Sequence, residues 1–281
     1  MKTIKIVGVP EHFNLPWQLC IDNGEFEEAG IDLQWTDIPE GTGKMCQMLR
    51  DKETDIAVIL TEGIVKDIIA GNNSKIVQVY VQSPLIWGIH VAANSKYQSI
   101  NDLKGKKAAI SRYGSGSHLM SYVNAQNNHW ETQNLEFEIV NTIDGAVDAL
   151  TSAKADYFMW ERFMTKPLVD NGIFRRISDC PTPWPCFVIA VRNEILEKES
   201  HIIEQILEII NTTTEEFKFI PSIDRTLASK YNQKLKDIQE WLSLTNWSQK
   251  QLDKKTVEKI QNQLYSLNII EKTIPYEMIV K

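Results

Sequence analysis

Two stretches of the chain alternate short apolar runs with amphipathic ones, and this alternation restricts the fold more than any other feature. Residues 2–9 alternate apolar and polar side chains as a half-buried strand does. A loop over 10–16 follows, then a helix over 17–29 ended by Gly30, and a strand over 31–38. A turn at 40–43 leads into a helical stretch over 44–50. The run from Asp55 to Leu60 is short, apolar and bounded by polar residues, the pattern of a buried parallel strand. Residues 62–70 read as a helix stopped by Gly71, and 75–81 as another strand. Residues 1–82 thus read β-α-β-α-β-α-β, which implies a mainly parallel sheet with helices on both faces.

The pattern restarts after a strand over 86–92 and a polar linker over 93–101. Strands are expected over 106–110, 135–140, 156–160, 174–177 and 187–191, with helices over 119–128, 145–152 and 163–171. From Asn193 onward the pattern is helical. Ile202, Ile203, Ile206, Leu207 and Ile210 share one helix face, and further helices cover 224–244 and 248–268. Only 274–280 there reads as extended. A length of 281 residues accommodates two such units. The expected fold is α/β and bilobal: two mainly parallel sheets flanked by helices, with a helical C-terminal region. Residues 1–94 and 189–281 would form the first lobe and 95–188 the second. The chain would cross near 92–101 and again near 186–193. In open α/β sheets a ligand sits outside the carboxyl ends of the strands, which here points to a cleft between the lobes.

Charge and cysteine usage remove several function classes. Thirty Lys and Arg against 37 Asp and Glu give a net charge of −7, with no basic footprint for nucleic acid. No apolar run reaches the roughly 18 residues of a membrane span, so no membrane insertion is expected. The N-terminus lacks the apolar core of a signal peptide, and an intact Met1 favours a cytoplasmic location. A periplasmic or surface-anchored protein is the alternative if a signal has been removed. Cys20, Cys46, Cys180 and Cys186 form no CxxC spacing, and His, Asp and Glu do not cluster at metal-ligand spacings. Cys180 and Cys186 flank a Pro-rich turn and either pair or remain buried free thiols.

Three segments resemble a known group. Ser99, Ile100, Asn101, Asp102, Leu103, Lys104, Gly105, Lys106 and Lys107 precede a strand and the Gly/Ser turn Gly114–His118. That order is similar to the segment opening the second lobe of type II periplasmic-binding-protein-like domains. Ala149–Glu161 and Asp55–Gly63 resemble later and earlier elements of the same group. The resemblance covers about residues 1–220 and is closest to the aliphatic-sulfonate, nitrate and thiamine-precursor solute-binding branch. It implies the bilobal fold, a small-molecule ligand, no cofactor, and a transporter permease as partner if the protein is exported. Fungal thiamine-pyrimidine synthases of this superfamily carry a cysteine-rich iron motif that Cys46, Cys180 and Cys186 do not form. Bacterial menaquinone-pathway enzymes share the fold, so a lyase or synthase of cofactor metabolism is the alternative to binding alone.

Candidate ligand-binding residues follow from the strand-end rule. Glu11, His12, Asn14 and Leu15 follow the first strand, with Asn14 also placed to cap a helix before Pro16. Thr42 lies in the Gly-rich turn before a helix, which is not a Walker loop. Thr61, Glu62 and Gly63 follow the third strand, with Thr61 a candidate N-cap. Arg112, Tyr113, Gly114, Ser115, Gly116, Ser117 and His118 combine a tight turn, two hydroxyls and a helix N-terminus, a cradle for an anion or carbonyl. Trp87, Trp160 and Trp184 stand near strand ends, where indoles can sandwich a flat ligand, and Glu161 follows Trp160. No Ser-His-Asp spacing is present, so no catalytic residue is assigned. The expected activity is binding of a small polar organic molecule by hinge closure, without chemistry. A heteroaromatic, thiamine-precursor-like ligand fits the acceptors Glu11, Glu62 and Glu161 best, and a small anion is the runner-up.

Overall fold

The computed structural model describes residues Met1–Lys281. The strands are β1 (Lys2–Gly8), β2 (Ile31–Asp37), β3 (Ile56–Leu60), β4 (Ser74–Val81), β5 (Ile86–Ala92), β6 (Ala108–Ile110), β7 (Phe137–Ile139), β8 (Tyr157–Glu161), β9 (Phe174–Pro181) and β10 (Phe187–Arg192). The early helices are α1 (Leu15–Asp22), α2 (Glu25–Glu28), α3 (Thr42–Arg50) and α4 (Thr61–Ile69). Then come α5 (Gly116–Asn127), α6 (Ile143–Thr151) and α7 (Lys166–Asp170). The C-terminal helices are α8 (Asn193–Lys198), α9 (Ser200–Glu216), α10 (Ile223–Lys230), α11 (Leu235–Leu244), α12 (Lys254–Ser266) and α13 (Tyr276–Ile279).

The chain forms two compact units, one of Met1–Ser83 with Trp184–Lys281 and one of Pro84–Pro183. The first holds a sheet of order β2-β1-β3-β10-β4, the second a sheet of order β7-β6-β8-β5-β9. β1 pairs in parallel with β2 and β3, while β10 runs antiparallel between β3 and β4. β6 pairs in parallel with β7 and β8, while β5 runs antiparallel between β8 and β9. Each sheet is therefore mainly parallel, with one reversed strand, the first after the chain enters that unit.

This reversal accounts for a difference from the sequence pattern. The strand over 86–92 pairs with β8 and β9 and so belongs to the second unit, and the chain crosses at 83/84 rather than near 92–101. The return lies at 183/184, just ahead of β10. Periodicity identifies a strand but carries no information about which sheet it joins.

The apolar runs form the cores as their periods require. Ile4 and Ile6 of β1, Ile56–Ile59 of β3 and Val188–Val191 of β10 are buried. Trp17 of α1 packs against Phe26, Trp35 and Tyr80 at 6.0–6.2 Å between ring centroids. In the second unit Phe158, Phe174, Ala146, Ala149 and Leu150 form one cluster. The single helix expected over 17–29 is two. Gly24 takes the left-handed conformation at φ 77°, which ends the α-helical ladder after Asp22 and lets the chain re-enter as α2. The stretch 224–244 likewise divides into α10 and α11, with Asn232 at φ 49° between them. Residues 276–279 are a helical turn rather than extended, followed by a single parallel bridge from Val280 to Ile76. All four cysteines are buried free thiols, so Cys180 and Cys186 do not pair.

Candidate functional site

In the first unit, Gly8 at the end of β1 pairs with Asp37 at the end of β2. Phe187, where β10 starts, pairs with Leu60 and Val81, the ends of β3 and β4. Segments leaving β1, β2 and β3 and the one entering β10 therefore share one edge of the sheet. That edge gathers Glu11–Leu15, Thr42, Thr61–Gly63 and Trp184.

Residues His12–Asn14 form a single 3-10 turn, and all three are buried. Asn14 does not cap α1. Its amide nitrogen donates to the Val9 carbonyl at 2.8 Å, and its Oδ1 is buried without a hydrogen bond. Leu15 is a buried apolar residue. The His12 ring is wholly inaccessible, 4.4 Å from the Tyr231 ring and 5.1 Å from Trp241. Neither of its nitrogens makes a hydrogen bond of ordinary geometry, although the Gln233 side chain is near enough to favour the protonated ring slightly. Burial outweighs that and pulls the imidazole down to about 4, so it is neutral at pH 7. Glu11 is partly buried, and burial pushes its carboxyl up to about 7. The Tyr231 hydroxyl donates to the Glu11 carbonyl at 3.1 Å.

Thr61 is the first residue of α4 rather than its cap, which is Leu60. Its hydroxyl donates to the Pro185 carbonyl at 2.6 Å and its N–H to the Cys186 carbonyl at 3.0 Å. The segment entering β10 is thereby tied to the start of α4. Glu62 is 3% exposed. The Trp184 indole N–H donates to its Oε2 at 2.8 Å, while Oε1 is buried with no partner. Burial raises this carboxyl, and hydrogen bonding from its own backbone and from Trp184 offsets part of the rise. The Cys186 thiol is raised by burial, then by the charges of Glu62 and Glu11, which places both carboxyls in its neighbourhood. Gly63 is needed for close approach: a Cβ there would overlap Cγ2 of Thr42.

In the second unit the corresponding edge carries the other candidates. Trp87 pairs with Glu161 across β5 and β8, and Ser111 continues from β6. Trp87 is buried, its indole N–H has no hydrogen-bond partner, and its ring meets Trp160 edge-on at 6.3 Å. Trp160 stacks on Phe158 at 5.5 Å, so core packing holds one face of it. Glu161 is buried, and its Oε2 accepts from the Met164 N–H at 2.6 Å, which commits that oxygen to the turn. Ser115 is the N-cap of α5, its Oγ accepting from the His118 N–H at 3.3 Å. Ser117 Oγ accepts from the Ser111 N–H at 3.0 Å and lies 3.1 Å from Ser115 Oγ. Gly116 opens α5, whose first turn adds unpaired N–H groups to these hydroxyls. Arg112 is exposed, and Tyr113 is 63% exposed. His118 accepts from the Gly114 N–H through Nδ1 at 3.1 Å, and its ring meets Tyr113, Tyr122 and Phe137.

The structure thus gathers Glu11, His12, Asn14, Thr42, Thr61, Glu62, Gly63 and Trp184 in one unit. In the other it gathers Trp87, Arg112–His118, Trp160 and Glu161. Sequence reasoning missed Tyr231 and Trp241, which pack on His12 from the C-terminal helices. The strand-end rule says nothing about helices outside the β-α alternation, and no local motif marks them. Cavities of about 430 Å³ and about 180 Å³ lie elsewhere, the first against α12 and residues 273–277, the second beside Arg50 and Arg192. Gln261, central in the first, already pairs with both backbone groups of Ile274, and Arg192, in the second, is bound by Thr54, Asp55 and Glu194. No group of three or more His, Cys, Asp or Glu is arranged to hold a metal ion. No helix is long and apolar enough to cross a membrane.

Residues 87–180 match the family model for Ca3427-like periplasmic binding proteins. The Candida albicans CA3427 gene product, described as having the generic periplasmic binding protein fold, is 25% identical. It covers 100% of this chain and 96% of its own, with a TM-score of 0.91. The alkanesulfonate-binding protein SsuA of Xanthomonas axonopodis, solved with MOPS, is 14% identical over 97% of this chain and 95% of its own, at a TM-score of 0.82. PhnD1 of Prochlorococcus marinus, solved with methylphosphonate, is 12% identical over 96% and 99%, at a TM-score of 0.65. No curated protein sequence matches the chain. The fold is that of the type II periplasmic-binding-protein-like superfamily, with sulfonate-binding proteins among its structural neighbours.

Proposed function

We propose that this chain, with its periplasmic-binding-protein fold, binds a small polar organic molecule at the strand-end edge of its first unit and releases it unchanged. One observation carries the reading. Glu62 is buried with one oxygen fixed by Trp184 and the other left without a partner. A buried acceptor without a donor costs free energy in the empty protein, of order 1–3 kcal/mol. A ligand donor placed there would recover that cost. The neighbouring Glu11 carboxyl and the buried Asn14 Oδ1 are further groups of the same edge that a polar ligand could satisfy. A heteroaromatic molecule of the thiamine-precursor kind and a small anion are the two ligand classes in play. An exported protein would deliver its ligand to a permease.

A second reading, a lyase or synthase of cofactor metabolism, draws on Glu11. A carboxyl pushed up to about 7 by burial is placed for proton transfer at neutral pH. Mass spectrometry of small molecules released from natively purified protein separates the two. Binding predicts one compact molecule, chemically unchanged after prolonged incubation with fresh protein. Its conversion to a new species would replace binding with catalysis.

A further inference from the structure

The second unit's sheet has a far edge, opposite Trp87 and Ser111, that holds none of the candidates above. There Ala108, Phe137 and Tyr157 stand level at the starts of β6, β7 and β8, and Ala92, where β5 ends, pairs with Phe174, where β9 starts. The segments at this edge carry Lys96, Lys104, Lys106, Lys107 and Lys154. The ammonium groups of Lys96 and Lys106 lie 5.9 and 6.0 Å from the centre of the Tyr97 ring. None of the five lysines takes part in an ion pair. The nearest carboxylates are committed to the chain itself. Asp102 accepts from the Gln98 and Ser99 N–H groups at 2.8 and 2.9 Å. Asp156 accepts from the Tyr97 hydroxyl at 2.5 Å and from the Lys107 N–H at 2.9 Å. Arg175 adds a sixth cation, its guanidinium bound by the Ser95 and Tyr97 carbonyls and the Gln98 side chain rather than by a carboxylate. The unit has ten Lys and Arg against ten Asp and Glu, so six of its ten cations share this one edge.

We propose that this edge is a docking surface for an acidic segment of a partner protein. Like charges gathered without counter-charges repel one another and lower the stability of the unit that carries them. A segment rich in Asp or Glu supplies the carboxylates that the chain spends on its own backbone. The frame that presents the lysines is already fixed. Asp102 closes a capping box with Ser99, and Asp156 ties the Tyr97 hydroxyl to the backbone of Lys107. Docking therefore orders side chains but not loops, which keeps its entropic cost low. Charge around the patch favours a narrow partner over a broad one. Glu136, exposed at the start of β7, and Asp148, exposed in the last turn of α6, flank it. An anionic bilayer or a long nucleic acid would press on these carboxylates as well, whereas a short segment meets the lysines alone. The whole net charge of −7 also falls on the first unit, which repels a large polyanion.

Fluorescence anisotropy of a labelled decaglutamate peptide titrated with the full chain tests the proposal, at about 0.1 M NaCl so that distant charges are screened. The peptide should bind saturably, and more weakly as salt rises. Reversing three exposed lysines of the patch, Lys96→Glu, Lys104→Glu and Lys154→Glu together, should weaken it about tenfold or more. Lys106→Gln with Lys107→Gln is a second, milder variant with the same direction expected. Reversing three exposed lysines of the first unit instead, Lys254→Glu, Lys255→Glu and Lys272→Glu, changes the net charge equally and should leave affinity unchanged. No saturable binding of the peptide would overturn the proposal. Equal weakening by the two triple reversals would overturn it too, by showing a general charge effect. Sedimentation with phosphatidylserine vesicles and titration with polyuridylate complete the test. Tighter binding of either than of the peptide, lost on reversal of the patch, would replace the acidic segment with a membrane or a nucleic acid and overturn the proposal as stated.

Discussion

Gly63→Ala tests the packing that brings α3 and α4 together beneath the strand-end edge of the first unit. Gly63 lies inside α4 with ordinary helical φ. Replacing such a glycine by alanine stabilises a helix by about 0.5–1 kcal/mol when space is free. Here the new Cβ would fall well inside 3.0 Å of Thr42 Cγ2, a separation real Cβ atoms essentially never show. Moving Thr42 off its rotamer costs about 0.5–1.5 kcal/mol, and shifting the helices about 1–3 kcal/mol. The rotamer change alone would roughly cancel the helix gain, and a contact this short also shifts the helices, so the net expectation is destabilisation by about 1 kcal/mol or more. Thr42→Ser removes Cγ2. The next nearest atoms, Thr42 Cβ at 3.5 Å and Oγ1 at 3.8 Å, are in ordinary contact. In the Thr42→Ser background, Gly63→Ala should therefore be neutral or stabilising, by up to about 1 kcal/mol. Urea unfolding followed by tryptophan fluorescence measures both differences. A stabilising Gly63→Ala in the wild-type background, or no change of sign with Thr42→Ser, would refute the packing.

Trp184→Phe keeps most of the ring but removes the donor to Glu62, and should cost about 1.5–3 kcal/mol in urea unfolding. A double-mutant cycle with Glu62→Gln isolates the pair, and a coupling below about 0.3–0.5 kcal/mol would deny it. Glu11, raised from 4.5 to about 7, binds more protons folded than unfolded across that window, so its contribution to stability falls as pH rises through it. Glu11→Gln should be more stable than wild type at pH 8 by up to about 3 kcal/mol, less to the extent that water screens this partly exposed residue, and little different at pH 4.5. His12, lowered from 6.5 to about 4, acts in the opposite sense, costing stability as pH falls from 6.5 toward 4, and cancels from that comparison. Ser115→Ala removes the N-cap of α5 and should cost about 1 kcal/mol, seen as faster amide exchange at Ser117–Leu119.

Much of the fold was readable because local pattern and burial agree. The run Ile56–Leu60 reads as a buried strand and is one, and Ile202, Ile203, Ile206 and Ile210 face the core of α9. The unit boundary was less readable, because β5 looks alike whichever sheet it joins and only its pairing with β8 and β9 decides. The strand-end rule located Glu11, Glu62 and Trp184, but spacing could not show that Trp184 would bind Glu62 across more than a hundred residues. Glu161 fits the same rule, yet one of its oxygens is spent on the Met164 turn. Thr61 reads as a cap and instead joins α4 to the entry of β10, since its hydroxyl meets the Pro185 carbonyl. Tyr231 lies outside any β-α repeat, and its contact with His12 depends on how α10 and α11 fold back.

The most direct test is calorimetric titration of the molecule recovered from native protein into wild type, Glu62→Gln and Glu11→Gln. The account predicts one site in wild type and weaker binding in both variants, with loss of the Glu62 acceptor costing about 1–3 kcal/mol. Unchanged affinity in both variants would contradict it and place the ligand away from these strand ends.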